Sequence, residues 1–231
     1  MIKINNLVKA YRGTAVVNVP SLEFHEGELI GLVGNNGAGK TTLFRLLLDL
    51  VRADKGEVLS REKNTAETED WKSYTAAYLD EGFLIHYLTP EEYFYFIGKL
   101  HNLSKADVDE SLLGFEAFFG GSILKSGKFI RELSKGNQFK VGIAACLLQK
   151  PKILVLDEPF SNLDPSSQMR LVKMLKELAS QKKTTILVSS HDLNHITGVC
   201  HRILLMEKGR IIKDIDTTAD TLQELEAYFQ V

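Results

Sequence analysis

The chain has 231 residues, of which 44% are apolar, with 28 lysines and arginines against 30 aspartates and glutamates. That length suffices for one sizeable core, and no linker, repeat or low-complexity tract divides it, so a single domain over 1–231 with an inserted lobe is expected. The net charge of −2, with both signs well mixed, excludes a global field for nucleic acid or anionic lipid, and no run approaches the ~18 consecutive apolar residues of a membrane span. Met1-Ile2-Lys3-Ile4-Asn5 lacks the apolar stretch of a secretory signal, which predicts a cytoplasmic chain.

Met1 to Phe24 alternates in places as antiparallel strands do. Leu29-Ile30-Gly31-Leu32-Val33 is a near-continuous apolar run, the pattern of a strand buried on both faces. Directly after it stand Gly34-Asn35-Asn36-Gly37-Ala38-Gly39-Lys40-Thr41-Thr42, and then a helical pattern, Leu43 to Leu50. The spacing GxxxxGK[ST] between strand and helix is that of a phosphate-binding loop. Glycines let the backbone aim successive N–H groups inward, and the helix adds the positive end of its dipole. Lys40 sets a full charge against the β- and γ-phosphates, and Thr41 carries a hydroxyl for Mg²⁺. The same spacing arises by chance in glycine-rich loops; the flanking strand and helix decide for a nucleoside triphosphate.

Glu81 to Leu148 reads as mostly helical and predicts a helical subdomain over about 81–148, inserted between core segments 1–80 and 149–231. Thr89-Pro90-Glu91-Glu92 is a capping box with proline in the first turn. The stretch Phe83 to Phe96 holds six of the chain's 20 aromatics. Tyr93 to Phe96 are consecutive, and at ~100° per residue they cannot all face one core. Either two or three are buried and the rest singly exposed, or the surplus lines a groove for a short helix of a partner.

Ile153-Leu154-Val155-Leu156 and Thr184-Thr185-Ile186-Leu187-Val188 read as further buried strands. Between them Asp164 serves as N-cap and Pro165 as first residue of a helix to Ser180. Ile203 to Ile212 predicts an antiparallel pair around Glu207-Lys208-Gly209, and Thr221 to Phe229 a short helix. That helix lies close to Val231, which is expected to leave no room for an extra regulatory domain.

An α/β sheet covered on both faces follows, and ligands in such sheets collect beyond the carboxyl ends of the strands. The phosphate loop, Asp157-Glu158 and Ser189-Ser190-His191 stand at those ends. Asp157 can hold Mg²⁺ through water, while Glu158 points elsewhere and can polarise the water that attacks the γ-phosphate. Alone, two carboxylates after a strand are ordinary surface residues; a phosphate loop in the same chain reverses that judgement. His191 and His195 make a poor zinc site, because no cysteine or carboxylate cluster joins them. Cys146 and Cys200 fall in apolar surroundings and read as buried thiols.

With these residues in place, the chain resembles the ATP-binding-cassette ATPases. Leu133-Ser134-Lys135-Gly136-Asn137-Gln138 is similar to their signature loop, Ser161-Asn162-Leu163-Asp164 to their D-loop, and Tyr78-Leu79-Asp80-Glu81 to their Q-loop. His191 resembles their switch histidine, and Tyr11, 29 residues before Lys40, the aromatic that stacks on adenine. The resemblance implies a P-loop NTPase (RecA-like) α/β core with an N-terminal antiparallel β region and an inserted helical subdomain. It implies ATP and Mg²⁺ as cofactors, with ATP held by Tyr11 and Gly34 to Thr42, and the metal by Thr41, Glu81 and Asp157. Glu158 and His191 would be catalytic. It implies a head-to-tail dimer in which Ser134, Lys135, Gly136, Asn137 and Gln138 of one subunit complete the other's site and Asp164 works across the interface.

Two motifs depart from the family pattern. The usual signature is LSGGQ, whereas this chain has Lys135 and Asn137, with Gln138 one place later; Glu81 stands where glutamine is common and adds negative charge beside the triphosphate. Such variants resemble bacterial cassettes that pair with separate membrane chains, often in export. The expected function is therefore an ATP-hydrolysing transporter subunit, peripheral on the inner face of the cell membrane. Its expected partners are a second ATPase subunit and separate transmembrane permease chains, with no nucleic acid. A soluble cassette that remodels a ribosome or DNA complex is the second reading, but such proteins usually carry two cassettes with a charged linker, or long coiled coils. A binding module without turnover is opposed by Glu158 and His191.

Overall fold

The computed structural model describes residues 1–181 and 183–229. In chain order the elements are β1 (Ile2–Tyr11), β2 (Thr14–Phe24), β3 (Leu29–Val33), α1 (Lys40–Leu47), β4 (Lys55–Ser60), β5 (Lys63–Asn64), β6 (Thr75–Tyr78), α2 (Pro90–Leu100), α3 (Lys105–Phe119), α4 (Lys135–Leu148), β7 (Ile153–Leu156), α5 (Pro165–Ser180), β8 (Thr185–Ser190), α6 (Leu193–Val199), β9 (Arg202–Glu207), β10 (Arg210–Asp216) and α7 (Thr221–Phe229).

They form an antiparallel sheet in the order β2-β1-β4-β5 and a second sheet in the order β10-β9-β3-β8-β7-β6. The second is parallel from β9 to β6, with β10 antiparallel on its edge. Successive side chains on a strand point to opposite faces, and here both faces are covered. Leu29, Val33, Leu154, Leu156, Ile186 and Val188 join the core shared with the helices. Ile30, Leu32, Ile153, Val155 and Leu187 join the core shared with the antiparallel sheet and α1. That double burial is why these strands read as unbroken apolar runs.

The neighbour order β3-β8-β7 brings three strand ends together, with Val33 beside Ser190 and Leu156 beside Val188. The phosphate-loop helix begins at Lys40 rather than Leu43 and ends at Leu47 rather than Leu50. Gly39, at φ 110°, turns the chain straight into the helix, while Asp49 at φ 47° breaks it and leaves Leu50 53% exposed. The short strands β4, β5 and β6 had no signature in the apolar pattern.

Helices α2, α3 and α4 pack on one another, and α4 also lies against β6. Gly142 makes that approach possible: a Cβ there would stand 2.1 Å from the Tyr78 ring. Thr89 and Glu92 form the expected reciprocal cap of α2, the Thr89 N–H donating to Glu92 Oε2 at 2.8 Å. Tyr93 and Phe94 are buried, Phe94 stacking on Phe119 at 5.8 Å; Phe83 and Tyr95 are half-buried; Tyr87 and Phe96 are exposed. Both cysteines are free and buried, which pushes their thiols up to about 12.

Candidate nucleotide site

The loop after β3 depends on glycine at two positions. A Cβ on Gly34 would stand 2.3 Å from the Met206 carbonyl oxygen, and one on Gly39 2.5 Å from that of Val16, in the β1–β2 hairpin. The N-terminus of α1 has no side-chain cap and no acidic residue in its first turn, so its N–H groups are left for an anion. Lys40 is buried, with Nζ donating to the Gly34 carbonyl at 2.7 Å and lying 3.4 Å from Glu158 Oε1.

Asp157 lies across from Thr41, whose hydroxyl donates to Oδ2 at 2.5 Å; Ser189 donates to Oδ1. Burial pushes the Asp157 carboxyl above its ordinary range, against the lowering effect of those two hydroxyls. A cation would relieve that burial, and the oxygen-only donor set of Thr41 and Asp157 suits Mg²⁺. Among the described residues no group of three or more His, Cys, Asp or Glu could hold a metal, so Mg²⁺ here would draw further oxygens from water and phosphate.

Ser189 accepts from the Glu158 N–H at 2.9 Å, which ties the ends of β7 and β8 together. Glu158 sits at φ 48°, a strained backbone for a non-glycine residue. Its Oε2 meets His191 Nδ1 at 2.8 Å and the His191 N–H at 3.3 Å. Glu158 thus bridges Lys40 and His191.

Tyr11 lies exposed on the β1–β2 hairpin, with Lys9 Nζ 5.5 Å from its ring centre. Ser134 caps α4, accepting from the Asn137 N–H at 3.3 Å. Lys135, at the first helical position, is ion-paired with Glu81. Gly136 faces the loop after β7, where a Cβ would come within 2.6 Å of the Asn162 carbonyl. Asn137 donates to Ser122 Oγ at 3.2 Å. Gln138 is turned inward: it is buried, and its Nε2 donates to the Leu133 carbonyl at 3.0 Å. Asp164 caps α5, and the Ser166 and Ser167 hydroxyls and the Ser167 N–H hold its carboxyl well below the usual range; Lys140 stands 3.6 Å away.

Lys40, Thr41, Asp157, Glu158 and His191 therefore form one cluster of hydrogen bonds and an ion pair, joined through Ser189. The 134–138 segment and Glu81 form another, and among the described residues no hydrogen bond or ion pair joins it to loop 34–42. Sequence reasoning placed Ser189 at a strand end without giving it a role, and did not single out Lys140. Ser189 carries a usable signal, a buried Ser189-Ser190 pair closing the apolar run Ile186 to Val188. Nor did it find the stack of Phe160 on His195, 4.8 Å apart and 12° from parallel, which joins the segment after Glu158 to α6.

A glycine loop feeding an uncapped helix, with a buried lysine and a strand-end aspartate facing its threonine, defines a P-loop nucleotide-binding protein. The ABC transporter family model matches residues 17–161, and the chain belongs to that family as an ATP-binding, ATP-hydrolysing subunit. It is 30% identical to the tungstate uptake system ATP-binding protein TupC of Peptoclostridium acidaminophilum, over 91% of this chain and 96% of that one. It is 31% identical to the bacitracin transport ATP-binding protein BcrA of Enterococcus faecalis, over 94% of this chain and 69% of that one. Among solved structures, an ATP binding subunit of an ABC transporter superposes with a TM-score of 0.85 at 25% identity, over 98% of this chain and 93% of that one. Among the described residues no helix is long and apolar enough to cross a membrane.

Proposed function

We propose that this chain works as one half of a head-to-tail ATPase pair that drives export through separate membrane-spanning chains, seated on the inner face of the cell membrane. One observation carries the pairing: Ser134 and Lys135 stand exposed at the N-terminus of α4, unconnected to the phosphate loop of their own chain. A helix N-terminus with a serine hydroxyl, a lysine and a close-packed glycine suits the γ-phosphate of ATP held by a second subunit. Asp164, on the adjoining loop, would then lie at the interface.

Within one subunit Tyr11 would stack on adenine, and Gly34 to Thr42 would hold the phosphates. Thr41 and Asp157 would hold Mg²⁺, with Glu81 reaching it once its pairing with Lys135 ends; when bound, the ion neutralises charge on the β- and γ-phosphates. In the nucleotide-free state Lys40 and Glu158 neutralise each other. A γ-phosphate recruits Lys40 and frees the Glu158 carboxylate to accept a proton from the attacking water, while His191, already in contact with Glu158, orients it. The membrane chains would dock on the helical lobe, where Ile85, Tyr87, Phe96, Leu100 and Leu113 expose apolar surface. Export rests on the Glu81 and Lys135 variants; one relative named above is named for uptake and another for bacitracin transport, so the cassette alone does not set direction.

The test is Glu158→Gln. ATP affinity should stay near normal, turnover should fall by about 10²-fold or more, and an ATP-dependent dimer should accumulate on size-exclusion chromatography. Undiminished hydrolysis would remove Glu158 as the base, and absence of the dimer would remove the paired site.

A further inference from the structure

Two charges in this chain occupy places that their surroundings disfavour. Lys135 is the first residue of α4, where aligned N–H groups already present positive potential and no acidic residue of the first turn offsets it. Glu81 follows directly on Asp80, a second carboxylate, which is engaged by Arg45 of α1 at 3.3 Å. Lys135 and Glu81 resolve both problems by pairing with each other across 54 positions of sequence. The pair sits at a junction. Glu81 opens the 3-10 turn Glu81–Phe83, which leads through buried Leu84 toward α2, and Lys140, one turn further along α4, pairs with Asp164 on the other side. The two departures from the usual motifs are thus each other's partner.

We propose that the Lys135–Glu81 pair is an electrostatic latch: it ties the segment after β6 to the signature helix in the nucleotide-free subunit, and the γ-phosphate of ATP held by a second subunit displaces Glu81 from Lys135. This rests on the head-to-tail pairing proposed above. Charge sets the direction of exchange. Lys135 is exposed and Glu81 partly so, and the pair is weakly held and salt-screened. A terminal phosphate offers Lys135 more negative charge and more acceptor oxygens than one carboxylate does, at a helix end that favours it further. Closure therefore frees Glu81, and with it the turn that leads into the helical lobe, only when the opposite subunit carries ATP.

The test reads dimer formation rather than turnover, by size-exclusion chromatography against ATP concentration with every variant built on Glu158→Gln. Lys135→Ala and Lys135→Gln should each raise the half-saturating ATP concentration by about tenfold, the effect of losing a charge-assisted hydrogen bond. Glu81→Gln removes the charged competitor for Lys135 while its amide oxygen can still reach Mg²⁺, as the glutamine common at this position would, and should lower it by roughly threefold. The double exchange Glu81→Lys with Lys135→Glu rebuilds the latch but presents a carboxylate to the phosphate, so ATP-driven dimers should be lost. Dimerisation of the exchanged protein like its parent would show a merely structural bridge, and overturn the latch. So would half-saturation unmoved, or moved in one direction, by the Lys135 and Glu81 single variants. Failure of Glu158→Gln itself to dimerise would instead overturn the paired site.

Discussion

The two sides of the candidate site are built in opposite ways. Around the phosphate loop, side chains are buried and held by neighbours from three strand ends: Lys40, Asp157 and Ser189 are all nearly inaccessible. On the signature side Ser134, Lys135 and Asp164 are exposed, and helix caps and ion pairs tie them. On the phosphate-loop side only the Lys40–Glu158 contact must open when phosphate arrives, whereas a half that must meet a second subunit needs all its contacts weak enough to exchange. Burial thus holds the phosphate-loop groups in place, with Lys40 exchanging only its Glu158 partner, and exposure leaves the signature side free to meet a second subunit.

The largest test of that contrast is a pair of glycine substitutions. Gly39→Ala puts a Cβ at φ 110° and 2.5 Å from a sheet carbonyl that cannot yield. It should destabilise the fold by ~2 kcal/mol or more and remove ATP binding, measured by thermal unfolding and isothermal titration. Gly136→Ala lacks the strained φ but its Cβ would stand 2.6 Å from the Asn162 carbonyl, so that loop must give way; the monomer should lose less stability than with Gly39→Ala, still bind ATP, and fail in dimer formation. Equal damage from both would dissolve the distinction.

Next in size come two carboxylates with opposite pH behaviour. Burial raises Asp157, so the stability it withholds from the nucleotide-free fold grows as pH rises from the ordinary carboxylate range through the raised value. Asp157→Asn should therefore melt higher than the parent at pH 7, with the gap closing in acid, while hydrolysis is lost. Hydrogen bonds lower Asp164, so its contribution is present above the ordinary carboxylate range and lost as pH falls through the lowered value. Asp164→Ala should lower the melting temperature at pH 7 through the loss of a helix cap, and lower it less in acid. Melting curves from pH 3 to 7 check both signs.

The smallest effect separates two aromatics of the helical lobe. Phe83 packs on both cores, whereas Tyr87 is 72% exposed beneath Arg131. Tyr87→Asp should shift stability by no more than about 0.5 kcal/mol while weakening co-purification with membrane subunits; Phe83→Asp should unfold the lobe. Normal assembly by the Tyr87 variant would place docking elsewhere.

Local spacing alone made the phosphate loop, the Asp157-Glu158 pair, the caps at Thr89 and Asp164 and the doubly buried strands legible, because each is a pattern within a few residues whose backbone geometry follows from residue type. It did not reveal β4 to β6, where short strands leave no periodicity to read. Which neighbours lie across a sheet or between loops was decided by tertiary structure. Ser189 serves Asp157 only because β7 lies beside β8. Gln138 turns inward although its neighbours Ser134 and Lys135 are exposed, because α4 is packed between the lobe and β6. Lys135 and Glu81, read separately as two departures from a motif, are one ion pair because the chain between them folds into two helices that return it to its starting point. Spacing along a chain determines chemistry that neighbours share; contacts between distant residues depend on how the elements pack, and no single stretch of sequence carries that.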